Sequence, residues 1–129
     1  NKSKDYNNNY KILINMGVDR SDYIMYGWKL PYEMLDNEGN KIDLYDEKFE
    51  SMMCGFEGED FALITDGMCG RYNVFGLCIQ HCNDEYEGWD FVEMDIQKFD
   101  VNKVKAKFTE LFGFEPQTEP KLFIFSHFS

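Results

Sequence analysis

Positive charge is in short supply in this sequence. Thirteen Lys and Arg stand against 24 Asp and Glu in 129 residues, a net charge of −11. Recognition of nucleic acid or of an anionic membrane needs a positive patch to meet phosphate, so a surface this negative argues against either as a direct ligand. Long apolar runs are missing too. None approaches the ~18 residues of a membrane-spanning helix, and no charged stretch followed by an apolar one reads as a secretion signal, so a soluble chain is expected. Cysteine is sparse: Cys54, Cys69, Cys78 and Cys82 are too few for a disulfide scaffold in a chain of this size, and free thiols in a reducing cytoplasm are the expectation. The loops that carry common chemistries are also absent. There is no Gly-x-Ser-x-Gly elbow, and no glycine-rich turn opens into a helix that would cradle phosphate.

Alanine occurs only at Ala62 and Ala106 and arginine only at Arg20 and Arg71, while asparagine occurs ten times and lysine eleven. That usage fits an AT-rich coding sequence, as in a low-GC bacterium or one of its viruses.

What is present is ample apolar material: 43% hydrophobic residues, with 12 Phe and 8 Tyr. A chain of this length and composition supports one domain with its own core. Residues 1–9, NKSKDYNNN, read as a frayed polar terminus, and residues 10–129 as the domain.

The organising stretch is Phe61 to Cys82. Phe61, Leu63 and Ile64 form one arm of a hairpin, 66–70 the turn, and Tyr72 to His81 a long second arm. Strict alternation along that arm places Phe75, Leu77, Ile79 and His81 on one face and Val74, Cys78 and Cys82 on the other. Apolar residues on both faces mark a central strand. Around it, Tyr10 to Met16 alternates as a first strand, 17–22 reads as a loop, and Tyr23 to Leu30 is extended up to Pro31, its aromatic residues serving the core. Residues 36–40 read as a turn, and Asp46 to Met53 as a short helix with Phe49, Met52 and Met53 inward. Trp89 to Ile96 alternates as a further strand, with Asp90, Val92, Met94 and Ile96 as its core face.

The clearest helix is Val101 to Phe112. Val101, Val104, Phe108, Leu111 and Phe112 form one stripe, with Asp100 placed as N-cap and Gly113 as the left-handed stop. Lys121 to Phe128, apolar on both faces, reads as an interior strand. The expected fold is α+β: a mainly antiparallel sheet of about five or six strands with helix 101–112 packed on a face.

Candidate chemistry is thin. Cys78-Ile79-Gln80-His81-Cys82 invites a zinc site, but extended geometry holds the two thiolates ~13 Å apart and turns His81 away from both unless the chain bends after Ile79. A calcium loop laid on Asp36 to Glu47 fails at its sixth position, where Lys41 replaces the required glycine. Cys69 is the most exposed candidate nucleophile, yet acidic surroundings disfavour its thiolate. Ser126 and His127 face opposite ways on one strand and form no dyad. No catalytic residue, metal or cofactor is therefore expected.

Charge is the remaining signal. Glu33 to Asp66 holds eleven acids and two lysines, and Asp84 to Asp100 holds seven acids and one lysine. The two stretches flank the hairpin, whose ends meet in space. They are expected to merge into one negative, aromatic-studded surface carried by Glu57, Glu59, Asp60, Asp84, Glu85, Tyr86, Glu87, Trp89 and Asp90. In overall character, small, strongly acidic and of AT-rich usage, the chain resembles phage-encoded anti-defence proteins such as nucleic-acid mimics and anti-CRISPR inhibitors, a resemblance of class resting on composition over the whole chain. It implies a non-catalytic inhibitor, acting in the bacterial cytoplasm, that occupies a basic nucleic-acid-binding surface of a partner protein. The alternative is a small enzyme or ligand-binding domain with an acidic pocket near the 66–70 turn, using Cys69, Asp66 or His81.

Overall fold

The computed structural model describes residues 20–50, 52, 60–82, 88, 89 and 91–128. In chain order these form strand β1 (Arg20–Leu30), the one-turn helix α1 (Glu47–Glu50), strands β2 (Phe61–Thr65) and β3 (Asn73–Cys82), a 3-10 turn (Ile96–Lys98), helix α2 (Val101–Phe112) and strand β4 (Lys121–Phe128). The four strands make one sheet in the order β2-β3-β1-β4, each neighbouring pair antiparallel. The fold class is α+β, as the sequence implies.

Helix α2 follows from its local signals. The Asp100 carboxylate accepts the Lys103 N–H, and Gly113 closes the last turn at φ 81°. Its apolar stripe buries Val104, Phe108, Leu111 and Phe112 against Tyr26, Trp28, Phe61 and Phe75 on one face of the sheet. Phe75 is the centre of this core, with no exposed surface and ring contacts to Trp28, Phe61, Phe108 and Phe112.

The opposite face carries a second cluster, Met25, Ala62, Ile64 and Val74, and along this face the sheet is sharply bent. Gly27 pairs with Gly76, and Gly76 with Ala62, so a row of residues with little or no side chain crosses three strands. A Cβ on Gly27 would lie 2.6 Å from the Gly76 Cα, and one on Gly76 would lie 2.7 Å from the Gly27 Cα. Only glycine allows the two backbones to fold together there. The consequence is visible at the ends of the strands. Asn73 pairs with Leu30 at one end of β1 and His127 with Ser21 at the other, a separation of ~30 Å in a flat sheet, yet the rings of Tyr72 and His127 are 6.5 Å apart.

Several sequence expectations are corrected. Strand β1 begins at Arg20, inside the expected 17–22 loop. Within the described sheet β4 is an edge strand and not an interior one, and Ile124 is 66% exposed. Residues 91–95 form no strand, Ile96 starts the 3-10 turn, and Phe91 is 94% exposed. Among the described residues no strand pairs with this stretch. The described sheet thus has four strands; the expected strand at 10–16 and the polar terminus at 1–9 lie outside the described residues. Helix α1 is shorter than expected, although Phe49 and Met52 are buried as predicted and Met53 is outside the described residues.

A β-bulge reverses the end of β3. Met25 pairs with Cys78 and Ile24 with Gln80, so Ile79 is skipped. Beyond the bulge the faces exchange. His81 then shares a face with Cys78, stacking on Tyr23 at 6.0 Å, and Cys82 turns to the other side.

Candidate functional site

Among the described residues, a groove of about 620 Å³ lies between the segment after β1 and the β2–β3 turn. Its construction begins at the buried Asn73. The Asn73 amide donates to the carbonyls of Pro31 and Tyr32 at 2.8 and 2.9 Å and accepts the Thr65 hydroxyl at 2.7 Å, fixing the exit of β1 against the hairpin. Beyond Tyr32 the chain folds into a miniature hairpin. The Ile42 N–H donates to the Met34 carbonyl, Leu35 and Lys41 form a bridge, and the Asp36 carboxylate accepts the N–H groups of Glu38 and Asn40. Asp43 then accepts the Tyr45 N–H and Asp46 the Lys48 N–H, turning the chain into α1. The groove is lined on this side by Met34, Ile42, Leu44 and Tyr45, and closed on the other by Thr65 and Gly67.

Its charged lining is Glu33, Lys41 and Asp43. Residues 33–50 carry seven carboxylates, and among the described residues only Glu33 is ion-paired, to Lys41 at 3.0 Å. Asp36, Asp43 and Asp46 also hold backbone turns, a structural role that leaves their charges in place. Beside them stand exposed apolar groups: Tyr45 at 84%, Leu35 at 53% and, next to Gly67, Met68 at 45%. An aromatic side chain left in water on a hydrogen-bonded turn is a ready-made contact.

Most of the residues expected to carry a binding surface, Glu57, Glu59, Asp84, Glu85, Tyr86, Glu87 and Asp90, lie outside the described residues. Asp60 is exposed and its carbonyl accepts the Cys78 N–H at 2.6 Å; Trp89 is half-buried. The groove lies within the acidic stretch read from sequence, but its floor was hidden: Ile42 and Leu44 show no periodicity that separates them from a loop.

The 66–70 turn is closed on Asp66. Burial raises the Asp66 carboxyl, but the N–H groups of Cys69 and Arg71 and the Arg71 guanidinium outweigh it and hold the carboxyl below its ordinary range. Both of its oxygens thus accept hydrogen bonds that close the turn. Cys69 is exposed and free, as expected. His81 stacks on Tyr23 in the first half of β1, and the histidine that the bent sheet brings toward Asp66 is instead His127. His127 is buried, and burial pushes its imidazole pKa down against the opposing charge of Asp66. Its Nδ1 lies 3.5 Å from the Tyr72 hydroxyl, whose pKa burial and Asp66 raise. Ser126, on the other face, donates to Asp22.

Cys78 is disulfide-bonded and Cys82 is buried, which corrects the expectation of free thiols throughout. Among the described residues, no group of three or more His, Cys, Asp or Glu is arranged to hold a metal. No helix among them is long and apolar enough to cross a membrane.

Fold and groove together define an α+β domain with a largely apolar groove whose charged lining is Glu33, Lys41 and Asp43. Compared with known protein families, with curated proteins and with solved structures, the chain shows no significant match.

Proposed function

We propose that this protein is an acidic, non-catalytic binding protein that occupies a basic surface of a partner, of the kind that otherwise holds nucleic acid. The observation that carries this reading is the 33–50 segment, where seven carboxylates against two lysines, one carboxylate ion-paired among the described residues, share hydrogen-bonded turns with the exposed Leu35 and Tyr45. Unneutralised acids steer a cationic partner at long range and orient it. Exposed apolar groups within the same surface supply contacts that exclude water once the partner has docked. Inhibition follows if the occupied surface is a nucleic-acid site, because two polyanionic ligands cannot share it.

The test is retention of partners on the immobilised protein across a salt series, followed by displacement with duplex DNA or RNA. A retained protein released both by rising salt and by nucleic acid supports the reading. Charge removal in Asp43→Asn/Glu47→Gln should weaken retention several-fold at low salt. A complex indifferent to salt, nucleic acid and these substitutions would refute it.

A second reading, a small-ligand pocket beside the 66–70 turn, is favoured by the groove volume, about 620 Å³, which lies in the range of ligand sites. Saturable binding of a small molecule unaffected by salt would distinguish it.

A further inference from the structure

We infer that the groove between Met34, Leu44, Tyr45 and Gly67 is the slot for an extended, Lys/Arg-rich segment of the partner that inserts one large apolar or aromatic side chain. This rests on the reading of the protein as a binder of basic surfaces, and names the part of the partner that enters.

The occupant follows from what the groove offers. Its floor, Met34, Ile42 and Leu44, is apolar and continuous with the core cluster, so it accepts a side chain that leaves water. Glu33, Lys41 and Asp43 are its charged lining. Lys41 is already offset by Glu33 at 3.0 Å, which leaves Asp43 on the lining, while the rest of the 33–50 segment adds Asp36, Glu38, Asp46, Glu47 and Glu50 against Lys48. A second copy of this chain, at −11, would be repelled, as would nucleic acid or an anionic lipid. A cationic segment is attracted instead, and its apolar residue makes use of the floor. Tyr45, 84% exposed, stands where it can cover such a side chain, and the walls need no folding transition because their turns are already hydrogen-bonded.

Gly67 provides a clean plug. A Cβ there meets nothing within 4 Å, so Gly67→Trp adds a large side chain at the groove wall without a backbone clash or a change of charge. The experiment measures fluorescence anisotropy of three labelled twelve-residue peptides at low and physiological salt: a Lys/Arg-rich peptide with a central Trp, the same peptide with Ser in its place, and an acidic control. The Trp peptide should bind at least about tenfold more tightly than the Ser peptide. Gly67→Trp should erase that difference while keeping the weak, salt-sensitive binding of both basic peptides. Tyr45→Ser, at an exposed position with no folding role, should narrow it. Equal binding of the Trp and Ser peptides, or a Trp preference that survives Gly67→Trp, overturns the slot and leaves the basic-surface reading standing. Failure of both basic peptides to exceed the acidic control overturns both.

Discussion

At the scale of residues, the bent sheet concentrates polar groups that a flat one would keep apart. Both histidines lie on its inner face with Tyr23 and Tyr72, and Tyr23 stacks on Phe125 at 5.4 Å. His127 is the titratable group most exposed to consequences. It is buried, with the Tyr72 hydroxyl at 3.5 Å and the rings of Tyr23 and Tyr72 against it, so its charged form is disfavoured, the charge of Asp66 opposing only in part. A base whose folded pKa is depressed gives stability that is full above the unfolded value, ~6.5, and lost as pH falls through the lower folded value. Stability to urea should therefore decline as pH falls from about 7 toward 5, and His127→Gln should flatten that decline. A profile unchanged by the substitution would mean that His127 titrates as it does in the unfolded chain. None of this was visible in sequence, because His127 and Tyr72 are 55 positions apart and their meeting depends on the fold of the sheet.

At the scale of elements, local signals succeeded where an element needs only its near neighbours. Helix α2 has its cap, its stripe and its stop within a few residues of one another, and the structure reproduces all of them. The β2–β3 hairpin was legible for the same reason. Trp89 to Ile96 had the alternation of a strand, but a strand exists only when a second one hydrogen-bonds to it, and that is a property of the rest of the chain. The bend is the element-level feature that most shapes the molecule. Gly76→Ala should destabilise the protein by about 3 kcal/mol or more, because its Cβ would meet the backbone of Tyr26 and Gly27, which cannot swing aside as a side chain does. Urea denaturation checks it. A loss below about 1 kcal/mol would mean that the strands separate easily and that the bend is not held by this glycine pair.

At the scale of the whole molecule, charge is the property that folding alone leaves unused. At −11 the compact state repels itself, so the urea midpoint should rise as salt is raised from about 0.01 M to 0.15 M, where the Debye length shortens from ~30 to ~8 Å. No rise would mean that opposite charges are already balanced locally across the surface. The excess charge, the α+β class, the hairpin and the principal helix were all determined by the sequence itself, since composition and spacings of a few residues suffice for each. Only the tertiary structure decided which two-sided apolar strand lies at an edge, where β3 skips Ile79, how the Gly27–Gly76 pair bends the sheet, and that Asn73 draws residues 31–45 and the hairpin turn together into a groove. Those outcomes depend on contacts between residues tens of positions apart, whose pairing is set by burial and backbone hydrogen bonding over the whole chain and not by any local pattern.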